Sequence, residues 1–254
     1  MARKRFVVGN WKMYIQSEEE ATKFAVTLRR KARSIPGVDV FLAPPFTLLP
    51  AVAKVLESAP IEVGAQTISA FTESKHTGDI SGAMLKNFGA SFVIIGHSER
   101  RAQGETDMLV REEILRASEA GLAPILCIGE REREEGGGHF TRIQEQLSSA
   151  LMNLPPKAAK KLIVAYEPVW AIGKSAADAL QAEDLEEMVI FIKKNLAEIL
   201  DRKTALKIPI LYGGSVEAEN ASELITKSGV SGFLVGHAST NIDSFLSIIQ
   251  SCKK

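Results

Sequence analysis

The sequence predicts one α/β domain, residues 1–254, folded as a closed (β/α)8 barrel. Three observations predict this fold: eight short apolar runs recur along the chain, amphipathic stretches of helical period separate them, and no linker or change of composition divides the sequence. The 254 residues give about 32 residues per unit, close to the ~30 of one strand–helix–strand step. Eight such regular steps favour a closed barrel over an open sheet.

The predicted strands are the apolar runs, which are rich in β-branched residues. Near-continuous apolarity of this kind is what a parallel strand needs when both of its faces are covered. In chain order the apolar runs that mark the eight strands are 6–9, 40–43, 61–64, 92–96, 125–129, 162–166, 208–212 and 233–236.

The segments between the strands have the spacing of helices that bury one face. Ser17 and Glu20 form an S-x-x-E capping box at the start of the first predicted helix. Residues predicted to pack against the sheet share helical spacing; they are Ala21, Phe24, Ala25, Leu28 and Ala32, then Phe140, Ile143, Leu147 and Leu151, and later Leu185, Met188, Ile192 and Leu196. Gly136–Gly138 predicts a flexible loop within one unit.

Charge and cysteine content exclude several functional classes. The 31 basic and 31 acidic residues leave no net charge, so neither a nucleic acid nor an anionic membrane is an expected partner. Cys127 and Cys252 are too few for a disulfide framework. No apolar run approaches the ~18 residues of a membrane-spanning helix, and the apolar run after the basic start, 6–8, is too short for a signal peptide. We therefore expect a soluble, cytoplasmic protein.

Polar residues at the C-terminal ends of barrel strands form the active site in enzymes with this fold. Lys12 follows the first strand, and its compact ammonium suits a small anion. His97 follows the fourth strand, where an imidazole can polarise a substrate carbonyl, and Ser98 starts a helix there. Taken singly, Lys12 is better explained as a surface lysine, and a structural histidine explains His97 equally well.

Glu167 stands on the last position of the sixth predicted strand and is followed by Pro168. The next segment, 169–172, is apolar and includes a tryptophan, which is costly in a loop exposed to water. This pattern predicts a lid that closes over the site and excludes water. A carboxylate under such a lid loses solvation and becomes a stronger base.

Glycines after the last two strands predict a phosphate site. Gly213, Gly214 and Ser215 follow the seventh strand, and Gly236 and His237 follow the eighth. Glycine allows the backbone N–H groups to approach a phosphate closely at this position of the barrel. With a glutamate, a histidine and a lysine, the set suits proton abstraction beside the carbonyl of a small phosphorylated sugar. No metal-ligand spacing or cofactor-binding motif occurs, so we expect neither a metal nor a cofactor.

The chain resembles the triosephosphate isomerase family over its full length. Four motifs that are highly specific together carry this resemblance: 9–13 (GNWKM), 94–101 (IIGHSERR), 165–173 (AYEPVWAIG) and 212–216 (YGGSV). The resemblance implies a TIM barrel that interconverts glycerone phosphate (dihydroxyacetone phosphate) and D-glyceraldehyde 3-phosphate through an enediolate, in glycolysis and gluconeogenesis.

The resemblance also implies roles for the catalytic side chains. Glu167 would abstract the proton beside the carbonyl and return it to the neighbouring carbon. His97 would polarise the carbonyl as a neutral imidazole and shuttle protons between the two oxygens. Lys12 would stabilise negative charge, Asn10 would donate to the substrate oxygens, and Glu99 would be a carboxylate beside Lys12 and His97.

Substrate binding and assembly are implied in the same way. Gly173, Ser215, Gly236 and His237 would supply backbone N–H groups to the phosphate, while Glu130 and the buried Cys127 would be structural. The family is homodimeric, and its third loop, 66–82 in this chain, would enter a pocket beside the lysine and histidine of the partner. The sequence alone favours a long surface excursion for this loop, and it is the resemblance that favours a dimer contact.

Three departures from the family pattern raise questions of detail. The lid continues into Lys174-Ser175-Ala176 in place of the usual Thr-Gly-Lys hinge, which bears on the rate of opening. His237 replaces the second glycine after strand eight, which matters if the backbone there needs a positive φ. A cationic His237 could also add to phosphate affinity below neutral pH. Thr67 replaces the usual Asn at the dimer loop.

Two other functions compete with the isomerase. A non-catalytic barrel kept as a scaffold predicts damage at Glu167, His97 or Lys12, and all three are present. A different phosphate-binding barrel, such as a lyase or a synthase of aromatic amino-acid pathways, explains the glycines but neither 97–100 nor 167–170. Competitive inhibition by phosphoglycolate, which mimics the enediolate, separates the isomerase from both.

Overall fold

The computed structural model describes residues 4–32, 35–72, 75–133, 136–173 and 180–253. Eight parallel strands pair in chain order, and β8 pairs back onto β1 to close the barrel. The strands are β1 (Arg5–Asn10), β2 (Val38–Ala43), β3 (Ile61–Ala65), β4 (Phe92–Ile95), β5 (Ala123–Ile128), β6 (Ile163–Tyr166), β7 (Ile210–Tyr212) and β8 (Gly232–Val235). The predicted (β/α)8 TIM barrel is confirmed.

Strand boundaries differ from the prediction by one or two residues. Glu167 was predicted on the last position of the sixth strand, but β6 ends at Tyr166. The backbone N–H of Glu167 still donates to the carbonyl of Ile128 at 2.7 Å, so the residue stays fixed against β5. Asn10, predicted just beyond the first strand, is its last residue.

Helices connect the strands and cover the barrel. They are α1 (Glu18–Ala32), α2 (Leu49–Leu56), α3 (Gly82–Asn87), α4 (Ser98–Ala102), α5 (Asp107–Glu119), α6 (Gly138–Leu151), α7 (Pro156–Ala159), α8 (Ala182–Ile199), α9 (Arg202–Lys207), α10 (Ala218–Lys227) and α11 (Ile242–Ser251). Short 3-10 helices occupy Val169–Ala171 and His237–Thr240. At the start of α1, the hydroxyl of Ser17 accepts from the N–H of Glu20 at 3.2 Å, as the capping pattern predicts.

The core has two layers because successive strand residues point to opposite faces. The inner layer fills the barrel and includes Val8, Phe92 and Ile125, all fully buried. The outer layer lies between strands and helices. It contains most of the predicted stripes, with Leu28, Leu147 and other members fully buried, whereas Phe140 is only partly buried. Since the barrel interior is packed with side chains, a ligand must bind at its end.

Two further sequence expectations can be compared with the structure. Within the described ranges, no helix is long and apolar enough to cross a membrane. Cys127 and Cys252 are both free and buried, as expected for a chain without a disulfide framework.

Candidate active site

The C-terminal ends of the strands surround a cavity of about 310 Å³. Eight of the nine residues predicted from the strand ends or from the family resemblance line it, although they are far apart in the sequence: Asn10, Lys12, His97, Glu167, Gly173, Ser215, Gly236 and His237. The ninth, Glu99, is joined to the cavity through Lys12, whose Nζ lies 2.6 Å from Glu99 Oε1. The barrel therefore brings all nine predicted residues to one place.

His97 is fixed by the start of α4. It is the N-cap residue of that helix, and its Nδ1 accepts a hydrogen bond from the backbone N–H of Glu99 at 3.2 Å. An accepting Nδ1 carries no proton, so the ring is neutral with its proton on Nε2. Nε2 lies 3.4 Å from Oε1 of Glu167, inside the cavity.

Glu167 is buried at the bottom of the cavity, with 2% of its surface exposed. Its Oε2 accepts from the backbone N–H of Ser98 at 3.3 Å. Two glycines leave space for it: a Cβ at Gly213 would lie 2.7 Å from Glu167 Cγ, and a Cβ at Gly129 would lie 1.8 Å from the Glu167 carbonyl oxygen. A larger residue at position 213 would displace the side chain of Glu167, and one at position 129 would displace its backbone.

Lys12 adopts a backbone conformation that is rare for a residue with a side chain, with φ at 46°. Its N–H donates to Asn10 Oδ1 at 3.1 Å, and its carbonyl accepts from Gln66 Nε2 at 2.9 Å. Gln66 Nε2 also donates to the carbonyl of Ala43 at 3.0 Å. A strained backbone persists only where its surroundings hold it in place, and here Asn10 and Gln66 do so.

The loops after β7 and β8 form the other end of the cavity. The Ser215 hydroxyl donates to the carbonyl of Ala171 at 2.9 Å, which ties this end to the start of the lid. The Ser239 hydroxyl donates to the carbonyl of Gly236 at 2.7 Å and closes the 3-10 helix that follows β8. Among described non-glycine residues, only Lys12, Ser58 and Asn153 have positive φ, so His237 fits without backbone strain.

The lid begins as a 3-10 helix over Val169–Ala171. Trp170, whose exposure the sequence analysis treats as costly, is half-buried. Its indole N–H donates to Glu130 Oε1 at 2.9 Å, and the Tyr166 hydroxyl donates to the same oxygen at 2.9 Å. Glu130 therefore binds Tyr166 and Trp170 at the start of the lid and does not line the cavity. The predicted hinge, Lys174-Ser175-Ala176, lies outside the described residues.

Cys127 lies beside the site and is fully buried. Burial, and then the charge of Glu167, raise the pKa of this thiol well above its ordinary value. A thiol that stays protonated is a poor nucleophile, which agrees with the structural role expected for Cys127.

Three contacts of the site were not anticipated from the sequence. They are the clamp of Gln66 on Lys12, the hydrogen bond from the N–H of Ser98 to Glu167, and the space that Gly213 leaves for Glu167. Only Gly213 left a signal, as a glycine directly after a strand. The other two join residues 54 and 69 positions apart, so no local pattern marks them.

The loop 66–82 forms a closed excursion beside the site. Its base is fixed by a hydrogen bond from the N–H of Ser69 to the carbonyl of Ile80 at 2.9 Å. Residues 73 and 74, within the predicted dimer loop, lie outside the described residues. The hydroxyl of Thr67 is buried and has no hydrogen-bond partner within the described part of the chain.

Comparison with known proteins places the chain among close relatives. A family model described as triosephosphate isomerase matches residues 5–252. The chain is 42% identical over 250 residues to the triosephosphate isomerase of Carboxydothermus hydrogenoformans, with 98% of each chain covered. It is 38% identical over 253 residues to the protein of that name from Fusobacterium nucleatum subsp. nucleatum, with 98% of this chain and 99% of the relative covered. For the Moorella thermoacetica protein the identity is 40% over 250 residues.

Proposed function

The chain belongs to the triosephosphate isomerase family, and from this premise we propose how its own residues carry out the reaction. It is an enzyme that interconverts triose phosphates. The observation that supports the assignment of its site most directly is the pair formed by Glu167 and His97, whose Oε1 and Nε2 atoms lie 3.4 Å apart in the cavity.

In the proposed mechanism Glu167 is the base. Its carboxylate removes a proton from the carbon beside the substrate carbonyl and returns it to the neighbouring carbon. The neutral ring of His97 donates its Nε2 proton toward the carbonyl oxygen as negative charge develops, and it moves protons between the two oxygens of the enediolate. A glutamate base paired with a neutral histidine is the mechanism already established for this family.

Lys12 and Asn10 stabilise the charge that forms in this step. The ammonium of Lys12 lies at the cavity wall, held by Glu99 at 2.6 Å, and supplies positive charge to the phosphate and the enediolate. Asn10 is buried at the end of β1 and donates to the substrate oxygens. Glu99 does not line the cavity, so we assign it a positioning role that acts through Lys12 and His97.

The opposite end of the cavity binds the phosphate in this proposal. Gly173, Ser215, Gly236 and His237 all line it, and backbone N–H groups at such positions suit a phosphate. Tight competitive inhibition by phosphoglycolate tests the placement of substrate. Substitution of Ser215 by alanine keeps the backbone N–H but removes the hydroxyl's hydrogen bond to Ala171, which holds this loop in place. It should therefore weaken that inhibition while leaving most of kcat, and equal loss in both quantities would contradict a role confined to binding.

We further propose that the enzyme is a homodimer through the loop 66–82. Large apolar side chains are exposed on this loop and beside it, which favours a covered surface; they are Met13, Phe71, Met84 and Phe88, with 79%, 48%, 51% and 54% exposed. A Thr77→Arg variant at the exposed loop tip should sediment as a monomer and lose most of its kcat. A wild-type chain that sediments as a monomer at all concentrations would contradict the dimer.

We also propose the domain organisation and the cellular location of the chain. Residues 1–254 form a single domain, which should unfold in one cooperative transition monitored by different probes. A cytoplasmic location is inferred from the family's glycolytic reaction, and cell fractionation checks it.

A further inference from the structure

The phosphate end of the cavity carries a charge that the proposed mechanism does not use. Glu217 lines the cavity with Ser215, Gly236 and His237, and it is half-buried. A carboxylate beside a bound phosphate dianion repels it, and the repulsion is larger where water is partly excluded. The position of Glu217 therefore affects how tightly a phosphate can bind.

Local hydrogen bonds keep Glu217 at this wall. It is the N-cap residue of α10, and its backbone N–H donates to Asn220 Oδ1 at 2.9 Å. The amide of Asn220 in turn donates to the carbonyl of Ser215 at 3.0 Å. Glu217 is thus fixed to the same loop that supplies Ser215 to the phosphate end.

His237 lines the same end of the cavity, at the start of the 3-10 helix after β8. Its carbonyl accepts from the Thr240 hydroxyl at 2.8 Å, and its ring meets the ring of Tyr14 edge-on, with 5.3 Å between centroids. The other ionisable residues that line this cavity are Lys12 and Tyr14, from the segment after β1, Glu217, from the loop after β7, and the pair His97 and Glu167.

Glu217 and His237 are electrostatically coupled. Burial, and then the charge of Glu219, raise the pKa of Glu217 above its ordinary value, whereas His237 lowers it. The lowering means that a protonated His237 stabilises the Glu217 carboxylate. Conversely, a protonated His237 offsets the repulsion that Glu217 exerts on an anion in the cavity.

We propose that Glu217 and His237 act as an opposed pair that sets the affinity of the site for the substrate phosphate. Glu217 weakens phosphate binding, and His237 strengthens it when protonated. The inference rests on the proposed function, because it takes this end of the cavity as the phosphate site. Both residues are affinity determinants, and neither takes part in proton transfer.

Calorimetric titration with phosphoglycolate tests the pair, using wild type, Glu217→Gln, His237→Asn and the double variant at about pH 6 and about pH 8. Because the proteins are compared at the same pH, the ionisation of phosphoglycolate itself contributes equally to every measured affinity. Glu219→Gln is the matched control, because Glu219 is an exposed carboxylate two residues further on that does not line the cavity. Isomerase assays of all five proteins run in parallel.

We expect Glu217→Gln to bind phosphoglycolate roughly threefold or more tightly and Glu219→Gln to bind within about 1.5-fold of wild type. His237→Asn should weaken binding more at the lower pH, and its effect should differ in the double variant because the pair is coupled. Unchanged affinity in Glu217→Gln, or an equal gain of affinity in Glu219→Gln, would overturn the inference. In that case an active wild type would still support the proposed function. An inactive wild type would instead contradict the proposed function.

Discussion

The Nδ1 atom of His97 accepts a hydrogen bond from the backbone N–H of Glu99 at 3.2 Å, at the first turn of α4. This contact requires an unprotonated Nδ1, and it directs the Nε2 proton toward the carboxylate of Glu167. Nitrogen NMR of the free enzyme at neutral pH should therefore show a neutral ring for His97 with its proton on Nε2. A doubly protonated ring would contradict the proposed role of His97 as a proton donor that starts neutral.

Substitution of His97 by asparagine separates its two roles. Asparagine is a good N-cap residue, so α4 should keep its start and the melting temperature should change little. The imidazole that polarises the carbonyl is lost, and kcat should fall by roughly 10²–10⁴-fold. Should activity survive while the fold is intact, another group must supply the proton.

Gly213 is expected to be essential for the placement of Glu167. In Gly213→Ala the new Cβ would lie 2.7 Å from Glu167 Cγ, so the carboxylate must move, and kcat should fall by roughly 100-fold. Gly136→Ala is the control, because no atom lies within 4 Å of a Cβ there. Circular dichroism checks the fold of both variants. A fully active, folded Gly213→Ala would mean that a methyl group fits beside Glu167 without moving its carboxylate.

A buried pair of carboxyl groups, Glu105 and Glu113, makes stability depend on pH. Their Oε2 atoms are buried without a hydrogen-bond partner among described residues, and a proton shared between the two carboxyls satisfies both. Burial, and then the charge of Glu105, raise the pKa of Glu113 from 4.5 to about 9. The folded state therefore holds a proton that the unfolded state releases, so stability falls as pH rises from 4.5 to about 9.

Glu113→Gln should remove this loss, because a glutamine amide donates to Glu105 without a titrating proton. Urea unfolding measures this as the free energy of unfolding of the variant minus that of wild type. The difference should be at least ~1 kcal/mol larger at about pH 8 than at about pH 5. Glu112→Gln is the control, since Glu112 is half-exposed and pairs with Arg116 at 3.7 Å on the surface. If both variants follow the same pH curve as wild type, the shared proton is excluded.

The barrel and the main site residues could be predicted because both depend on local sequence. A parallel strand covered on two faces must be apolar over its length, so runs such as the one that ends at Val235 are visible without any tertiary information. The residue that follows such a run must lie at the barrel mouth, which is why Glu167 and His97 were found. Their chemical roles came from the resemblance to a family.

Contacts between distant segments could not be predicted in this way. Gln66 reaches Lys12 only because β1 and β3 both flank β2 in the closed barrel. Glu113 did leave a signal that was not used: it lies on the same helical face as Val110, Ile114 and Ala117, which are fully buried. A carboxylate on an apolar stripe predicts either a buried partner or a shifted pKa.

The isomerase activity of the purified chain, measured beside that of Glu167→Gln, shows whether Glu167 is the base. Glutamine keeps the size of the side chain and its hydrogen bond from Ser98 but cannot accept the substrate proton. We expect rapid conversion by wild type and a loss of several orders of magnitude in kcat in the variant, which should still bind phosphoglycolate. Near-background activity in both proteins, or equal activity in both, would contradict the assignment of Glu167 as the base.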